Sequence, residues 1–516
     1  MTAPTQTSGA APAPSTSLRE HWLVLTAMML ALVTVMMDNS ILNVALPTIG
    51  RDLHASSGDL QWIVAAYSVT FGGLLMSTGN LSDRIGRRTV MLIGLTTMAL
   101  ASFAVLLAHS VWMVIAVRLL VGVGAAFVMP STLSLLFTTF TGEARGKVMG
   151  IFGIAAMAGF TVGPVLGGFL LGHLAWEWLF LLNVPVALIC IPVLLRAVPE
   201  STDGTAEPAD IPGTITSVLT VGALIYGLTS GPEFGWLSTR TLGSFAAAVA
   251  FGALFGWRQL TAQHPMLDLR MVANRRFATP ALVESIVFFI MMATMFVNTQ
   301  VLQLIFGYSA LHAGLLSLPT VAVMVLSNGI VARASTVFGD RWATVLGLGL
   351  SAVGVTVVLS GIHHVALILG GMAVMSIGNR MAMTTAAILV IDALPKERAG
   401  MGSALNDTFQ EVGGALGIGV LGAVLSQAFQ GGLPSWMPAG ARTSIVDAVA
   451  SGRPAVIDAA RTAWVHGAQL TLGIAAVLLV ACAVIAAFTF PSGHTTKDAA
   501  APDESGERKD AELTAV

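Results

Sequence analysis

The chain has 516 residues, of which 55% are hydrophobic and only 10% charged, and its formal net charge is −2. Soluble domains carry about 25% charged residues, so this sequence lacks the polar surface that a water-soluble fold of its length needs, and a lipid bilayer can serve as solvent instead. A charge near zero gives no reason to expect nucleic-acid binding, and the two cysteines, Cys190 and Cys482, each sit in an apolar run and read as packing residues.

Residues 1–21 form a tail rich in Ala, Pro, Ser and Thr that reads as disordered. The apolar run that follows has no convincing cleavage site, so it is a span and not a signal peptide. A helix needs about 20 apolar residues to cross about 30 Å of hydrocarbon, and about fourteen such runs are present. Six of them, 22–46, 61–81, 89–109, 111–136, 147–173 and 178–198, build a first bundle over 22–198. Two more, 213–231 and 241–258, lie in a linker at 199–276. A second six, 277–300, 311–334, 341–361, 364–391, 400–429 and 466–491, occupies 277–491, and a polar tail, 492–516, ends the chain. With the N-terminus in the cytoplasm, about 18 of the 25 Lys and Arg fall inside and about 5 outside, which obeys the positive-inside rule. The inside set includes Arg84, Arg87, Arg88, Arg145, Lys147, Arg270, Arg275, Arg276, Lys396 and Arg398.

The two halves resemble each other. The run Ile85 to Leu95 matches Phe338 to Leu348, with Gly86 opposite Gly339 and Gly94 opposite Gly347; Arg145, Gly146 and Gly150 are echoed by Arg398, Gly400 and Gly402. Parallel repeats are a transporter architecture, with the substrate site between the halves.

Between the second and third spans, Gly79-Asn80-Leu81-Ser82-Asp83-Arg84-Ile85-Gly86-Arg87-Arg88 combines a turn glycine, a fixed acid and three arginines. A topology signal alone explains the arginines but not the ordered Gly and Asp. In the fifth span, Gly159, Gly163 and Gly167 recur every four residues and share a helix face, beside Pro164 and Gly168. Such a face admits a close helix neighbour, and the proline removes one backbone hydrogen bond. These segments closely resemble the loop signature and the antiporter motif of the major facilitator superfamily. Met37 to Pro47, Arg118 to Ala126, Trp176 to Pro185 and Asn406 to Gly414 resemble its fourteen-helix drug:proton antiporter branch. Glu177 departs from that pattern, where the family usually has arginine.

The resemblance implies an all-α integral membrane protein with the major facilitator fold, two six-helix bundles plus two inserted helices. It also assigns a gating role to Gly79, Asp83, Arg84, Gly86, Arg87 and Arg88.

Ionisable residues inside spans are functional candidates by default. Asp38 and Arg118 fall at compatible depths in the first and fourth spans, which the resemblance implies are neighbours, so they can pair, for structure or for coupling. Asp407 and Glu411 lie one helical turn apart, on a stripe with Ser403, Gln410 and Gly414, and two carboxylates so close resist joint ionisation. Glu284 is a further candidate, which Arg275 or Arg276 could satisfy at the interface. The run Phe288, Phe289, Met291, Met292, Met295 and Phe296 suits varied apolar ligands or simply lipid. Asn43, Trp62, Tyr67 and Gln410 are candidate substrate contacts.

The expectation is a monomeric exporter of lipophilic, cationic drugs or antibiotics in a bacterial plasma membrane, with both termini cytoplasmic. Its partners are the drug, protons and the bilayer. A proton gradient drives it, without cofactor or metal, since no H-x-x-x-H or C-x-x-C pair occurs. The alternatives are an uptake symporter for a small nutrient and, more remotely, a membrane-embedded lipid enzyme.

Overall fold

The computed structural model describes residues 21–140, 142–202, 208–267, 274–392, 399–442 and 444–490, and the expectations for both tails and for Arg270, Lys396 and Arg398 lie outside them. The described residues are helical and inverted relative to a soluble protein. Apolar side chains such as Phe488, 82% exposed, Val249 and Leu188 point outward, while Asp38, Asn39, Arg118 and Glu284 are buried. Lipid accepts that outer surface, and the backbone satisfies its own hydrogen bonds within helices.

The first bundle comprises α1 (Trp22–Leu53), α2 (Ser57–Ile85), α3 (Arg87–Ala104), α4 (Val111–Thr139), α5 (Gly142–Leu171), a short α6 (Glu177–Leu181) and α7 (Asn183–Ala197). The inserted pair is α8 (Ile211–Phe234) and α9 (Thr239–Thr261). The second bundle comprises α10 (Arg275–Gln300), α11 (Ala310–Leu326), α12 (Asn328–Ser360), α13 (Val365–Asp392), α14 (Ala399–Gly432), the short α15 (Ile445–Ala450) and α16 (Pro454–Thr489). Among the described residues thirteen helical segments are long and apolar enough to cross a membrane. The expected fourteenth, α9, is 23 residues long but carries Arg240, Arg258 and Gln259 near its ends, and it is not among the thirteen.

Several boundaries differ from the sequence expectation. The helix expected over 311–334 ends at Leu326, and the next begins at Asn328, not 341, with a kink at Gly339. The last span begins at Pro454, not 466, because Val456, Ala460 and Ala463 bury one face while the charged Asp458 and Arg461 on another face mask the run's hydropathy. The first helix continues past residue 46 to Leu53, through Pro47.

The repeat appears in the backbone. Gly86, between α2 and α3, and Gly339, at a kink that breaks α12, both adopt positive φ, +120° and +72°, a conformation open to glycine and costly for other residues. Gly94 and Gly347 each sit at a close helix crossing. A Cβ at Gly94 would lie 2.7 Å from the carbonyl oxygen of Gly124, and one at Gly347 2.8 Å from that of Gly378.

The halves meet along two seams. On one side α2 packs along α14, with Val69 beside Ala415 and Met76 beside Leu405. Helix α8 covers this seam: Val218 faces Gly73, Ile225 faces Gly419, and Thr214 bonds Ser77. Asp210 ties α8 to α9, accepting from Arg258 Nε at 2.9 Å and Gln259 Nε2 at 3.0 Å. Burial opposes its charge, but these bonds and the Gly213 amide outweigh that and hold its carboxyl below the usual range. On the other side α5 crosses α11. The backbone of Gly168 meets Ala310 and Leu311, and that of Gly314 meets Pro164. This crossing lies at the end opposite the arginine-rich turn; toward that turn, Gly146, Gly150 and Gly153 have no neighbour where a Cβ would point.

The α1–α5 contact is equally tight: a Cβ at Gly163 would lie 3.0 Å from the Met37 carbonyl oxygen. Overpacking of this kind costs about 1–3 kcal/mol. Gly163→Val is expected to lower the unfolding temperature of the detergent-solubilised protein, and an unchanged melt would show that the α1–α5 crossing is not tight.

Candidate functional site

Arg118, only 1% exposed, places a charge on the apolar α4. An isolated guanidinium there would be strongly disfavoured, and the surrounding helices converge to compensate it. Its Nη1 donates to Asp38 Oδ2 on α1, its Nε donates to the Ile63 carbonyl oxygen at 3.1 Å, and its plane lies over the Tyr67 ring at 4.5 Å. Asn183 of α7 donates to Asp38 Oδ1 at 3.2 Å and to Ser102 Oγ of α3 at 2.9 Å. One ion pair thereby joins α1, α2, α3, α4 and α7.

The next residue on α1 turns toward the other half. Asn39 Nδ2 donates to Glu411 Oε1 at 3.2 Å. The approach is possible because residue 72 is glycine, as a Cβ there would lie 2.7 Å from Glu411 Cβ. Gln410, beside Glu411 on α14, donates to Glu284 Oε2 on α10 at 2.9 Å. Glu284 therefore pairs with an amide within the second half and not with Arg275 or Arg276 at an interface; it is fully buried, and its Oε1 has no hydrogen-bond partner. Asp407, one turn before Glu411, is half-buried. The side chain of Ser403 lies outside the described residues.

The arginine-rich turn is a device of the first half. Arg87 Nε donates to Asp83 Oδ1 at 2.7 Å. Glu200, after α7, accepts from the Arg88 and Thr89 amides at 3.1 Å each and from Thr89 Oγ1 at 2.5 Å, which caps the start of α3. Burial opposes the Glu200 charge, but these bonds with the Thr89 hydroxyl and the Ser201, Arg88 and Thr89 amides hold its carboxyl below the ordinary 4.5. Sequence reading missed Glu200, which is one of four acids between residues 200 and 210 and has no local signal that sets it apart. Arg84 is exposed and Gly79 has no neighbour at its Cβ position.

The fifth-span motif serves two neighbours. Gly159, Gly163 and Gly167 receive α1 at Val33, Met37 and Ile41, while Pro164 and Gly168 receive α11. Beneath that crossing lies a cavity of about 130 Å³ between the halves. Phe160, Met291, Met295, Met324, Met372 and Met375 form much of its wall.

None of the four expected substrate contacts lines this cavity. Neighbouring residues on a helix point about 100° apart, so Val44 faces it while Asn43 donates back to the Asn39 carbonyl oxygen at 3.3 Å. Trp62 faces Tyr226 of the inserted pair, Tyr67 lies under Arg118, and Gln410 is engaged with Glu284. Of the Met/Phe run, Met291 and Met295 reach the cavity, whereas Met292 and Phe296 are buried in the core.

Removing one partner of a buried ion pair costs about 3–5 kcal/mol. Arg118→Leu is expected to lower stability on that scale, and adding Asp38→Leu to restore most of it; equal loss in both variants would contradict the pairing. The lowered carboxyl of Glu200 stabilises the fold above pH 4.5 and ceases to do so as pH falls through its folded value. Glu200→Gln should therefore lower stability near neutrality by no more than about 1 kcal/mol, with the difference closing in acid, as thermal melts across pH will test.

The sequence profile of the Major Facilitator Superfamily matches residues 28–273 and 280–515. A relative called multidrug efflux pump LfrA, from Mycolicibacterium smegmatis, is 32% identical over 495 residues, 93% of this chain and 98% of its own. The methyl viologen resistance protein SmvA of Salmonella typhimurium is 29% identical over 490 residues, 90% and 97% of the two chains. Among solved structures, a bacterial homologue of the human lysosomal transporter Spinster, in an inward-facing and unoccupied conformation, superposes with a TM-score of 0.66 at 18% identity, over 92% of this chain and 98% of that one. The chain is a multi-pass membrane protein, and it belongs to the Major Facilitator Superfamily of transporters.

Proposed function

We propose that the protein is a proton-coupled exporter of lipophilic drugs or antibiotics, acting as a monomer in a bacterial plasma membrane with both termini in the cytoplasm. The relatives named for multidrug efflux and for methyl viologen resistance support the drug as cargo. The observation that carries the coupling is the Asn39–Glu411 bond, a hydrogen bond between a neutral amide and a buried acid across the two halves. Asp38 is tied to Arg118, so it serves to fix the first half. Glu411 and Glu284 are held by side-chain amides and can exchange a proton without breaking a salt bridge. Protonation of Glu411 changes which oxygen accepts and which donates at the junction, and that biases one arrangement of the halves over the other.

In this arrangement the α5–α11 crossing is closed at the end opposite the arginines. With the arginines inside, that end faces outward, and drug enters the central cavity from the cytoplasm or inner leaflet. The positive charge of a cationic drug is served by the acids of α10 and α14, and entry of such a cation favours loss of their proton. Outward opening then releases the drug, and a proton from the more acidic outside reloads the acid.

Everted membrane vesicles test this. With an acidic lumen, uptake of ethidium should require the protein, stop when nigericin collapses the pH gradient, and be lost in the Asp407→Asn, Glu411→Gln double variant. Uptake that survives nigericin would contradict proton coupling. The orientation has its own test: in intact cells an impermeant maleimide should label Ser435→Cys and not Ile85→Cys, and the reverse pattern would invert the topology.

A further inference from the structure

The cavity under the α5–α11 crossing has a definite polarity. Among the described residues, no Asp, Glu, Lys, Arg or His lines it. Glu284, the acid of α10, lies fourteen residues before Asn298, about 21 Å along the helix, so a small group near Asn298 is out of its reach. Six polar side chains line the wall. Thr161 and Ser317 spend their hydroxyls on their own helices, donating to the Met157 carbonyl oxygen at 2.7 Å and the Gly314 carbonyl oxygen at 2.6 Å, and Thr299 and Ser376 are only half-buried. Asn298 and Thr320 differ. Asn298 is 2% exposed and Thr320 8%, and neither Nδ2 nor Oδ1 of Asn298, nor Oγ1 of Thr320, has a hydrogen-bond partner in the protein. Buried polar groups are paired as a rule, and an unmade bond costs stability. A carboxamide that faces an otherwise methionine-rich cavity with both its donor and its acceptor unused is a recognition group.

We propose that this cavity is a subsite for a neutral, ring-sized group that carries an adjacent hydrogen-bond donor and acceptor, such as an aromatic carboxamide or a lactam, read by Asn298 and Thr320. Size sets the first limit. The volume of about 130 Å³ is close to that of an apolar cavity of about 150 Å³ that holds a benzene ring, so the site takes one ring of a larger drug. The five methionines supply polarisable, adaptable walls that suit varied ring faces. Charge sets the second limit. An ammonium placed here would be desolvated with no counter-charge on the wall. Asn298 sets the third, because its Nδ2 donates while its Oδ1 accepts, and a primary or cyclic amide satisfies both at once. This subsite deepens the drug-export reading: the cationic part of a drug belongs at the acids of α10 and α14, and a neutral ring belongs here.

The test is equilibrium binding in lipid nanodiscs at a single pH, without any gradient, using three probes of one ring each. Benzamide carries donor and acceptor, methyl benzoate carries acceptors alone, and benzylammonium carries a charge. Competition against radiolabelled benzamide should rank benzamide about tenfold tighter than methyl benzoate, the worth of one to two net hydrogen bonds, with benzylammonium weakest. Asn298→Leu should bring benzamide and methyl benzoate within about twofold, and Thr320→Val, which keeps the shape, should weaken benzamide about threefold. The ligand-free melting temperature of Asn298→Leu should not fall, since an unpaired polar group is removed; a structural role for Asn298 would lower it. The proposal is overturned if methyl benzoate or benzylammonium binds as tightly as benzamide, or if both variants keep the wild-type ranking. Because no proton gradient enters this assay, its failure leaves gradient-driven ethidium export untouched, and a failure of export leaves the binding ranking untouched.

Discussion

A guanidinium charge buried in the apolar interior of a membrane bundle needs a carboxylate, and that requirement organises the first half of this protein. Arg118 sits on a helix that is otherwise apolar, and five of its neighbours' features follow from compensating it. Asp38 supplies the counter-charge, Asn183 holds the second oxygen of Asp38, Ser102 holds Asn183, the Ile63 carbonyl takes Nε, and Tyr67 offers its ring face. Such a network adds little net stability over apolar packing, because desolvation offsets much of the attraction. What it supplies is position. Once Asp38 is fixed, Asn39 next to it on α1 can point only toward α14, where Glu411 lies.

The second constraint is the closeness of the backbones. Gly159, Gly163 and Gly167 bring α5 against α1, and Gly168 with Gly314 brings α5 against α11. One helix therefore touches the ion-pair helix of its own half on one face and the opposite half on another. A shift of α1 that accompanies any change at Asn39 and Glu411 is transmitted through packed backbone, which does not deform gradually. The inserted helices act at the other seam. Helix α8 lies over the α2–α14 junction and is clipped to α9 by Asp210, so that seam is supported from the lipid side while the α5–α11 seam diverges toward the arginine-rich end.

Lone charges in apolar runs were the most legible features of the sequence: Asp38, Arg118, Glu284 and Glu411 stand out because lipid makes them costly. The turn at Gly86 was legible for the same kind of reason, since an ordered Gly and Asp among arginines implies a specific backbone. Partners were less legible. Asn39, Asn183 and Ser102 are common polar residues whose roles come from long-range packing, and Glu200 lies 112 residues from the helix start that it caps. The cavity lining was not legible, because hydropathy does not report which side of a buried helix faces a cavity; Trp62 and Tyr67 are engaged elsewhere, while Asn298 and Thr320 gave no local signal. The start of α16 was masked by Asp458 and Arg461, which interrupt the hydropathy without interrupting the helix.

The central claim is that Glu411, at the bond between the halves, is the group that exchanges a proton when drug binds. The most direct measurement is proton release from the purified protein in weakly buffered detergent solution on addition of ethidium, followed with a pH indicator. The wild-type protein should release protons as ethidium saturates, and Glu411→Gln should bind ethidium with that release abolished or sharply reduced while Asp38 and Arg118 remain paired. Proton release from Glu411→Gln equal to that of the wild-type protein would contradict the account.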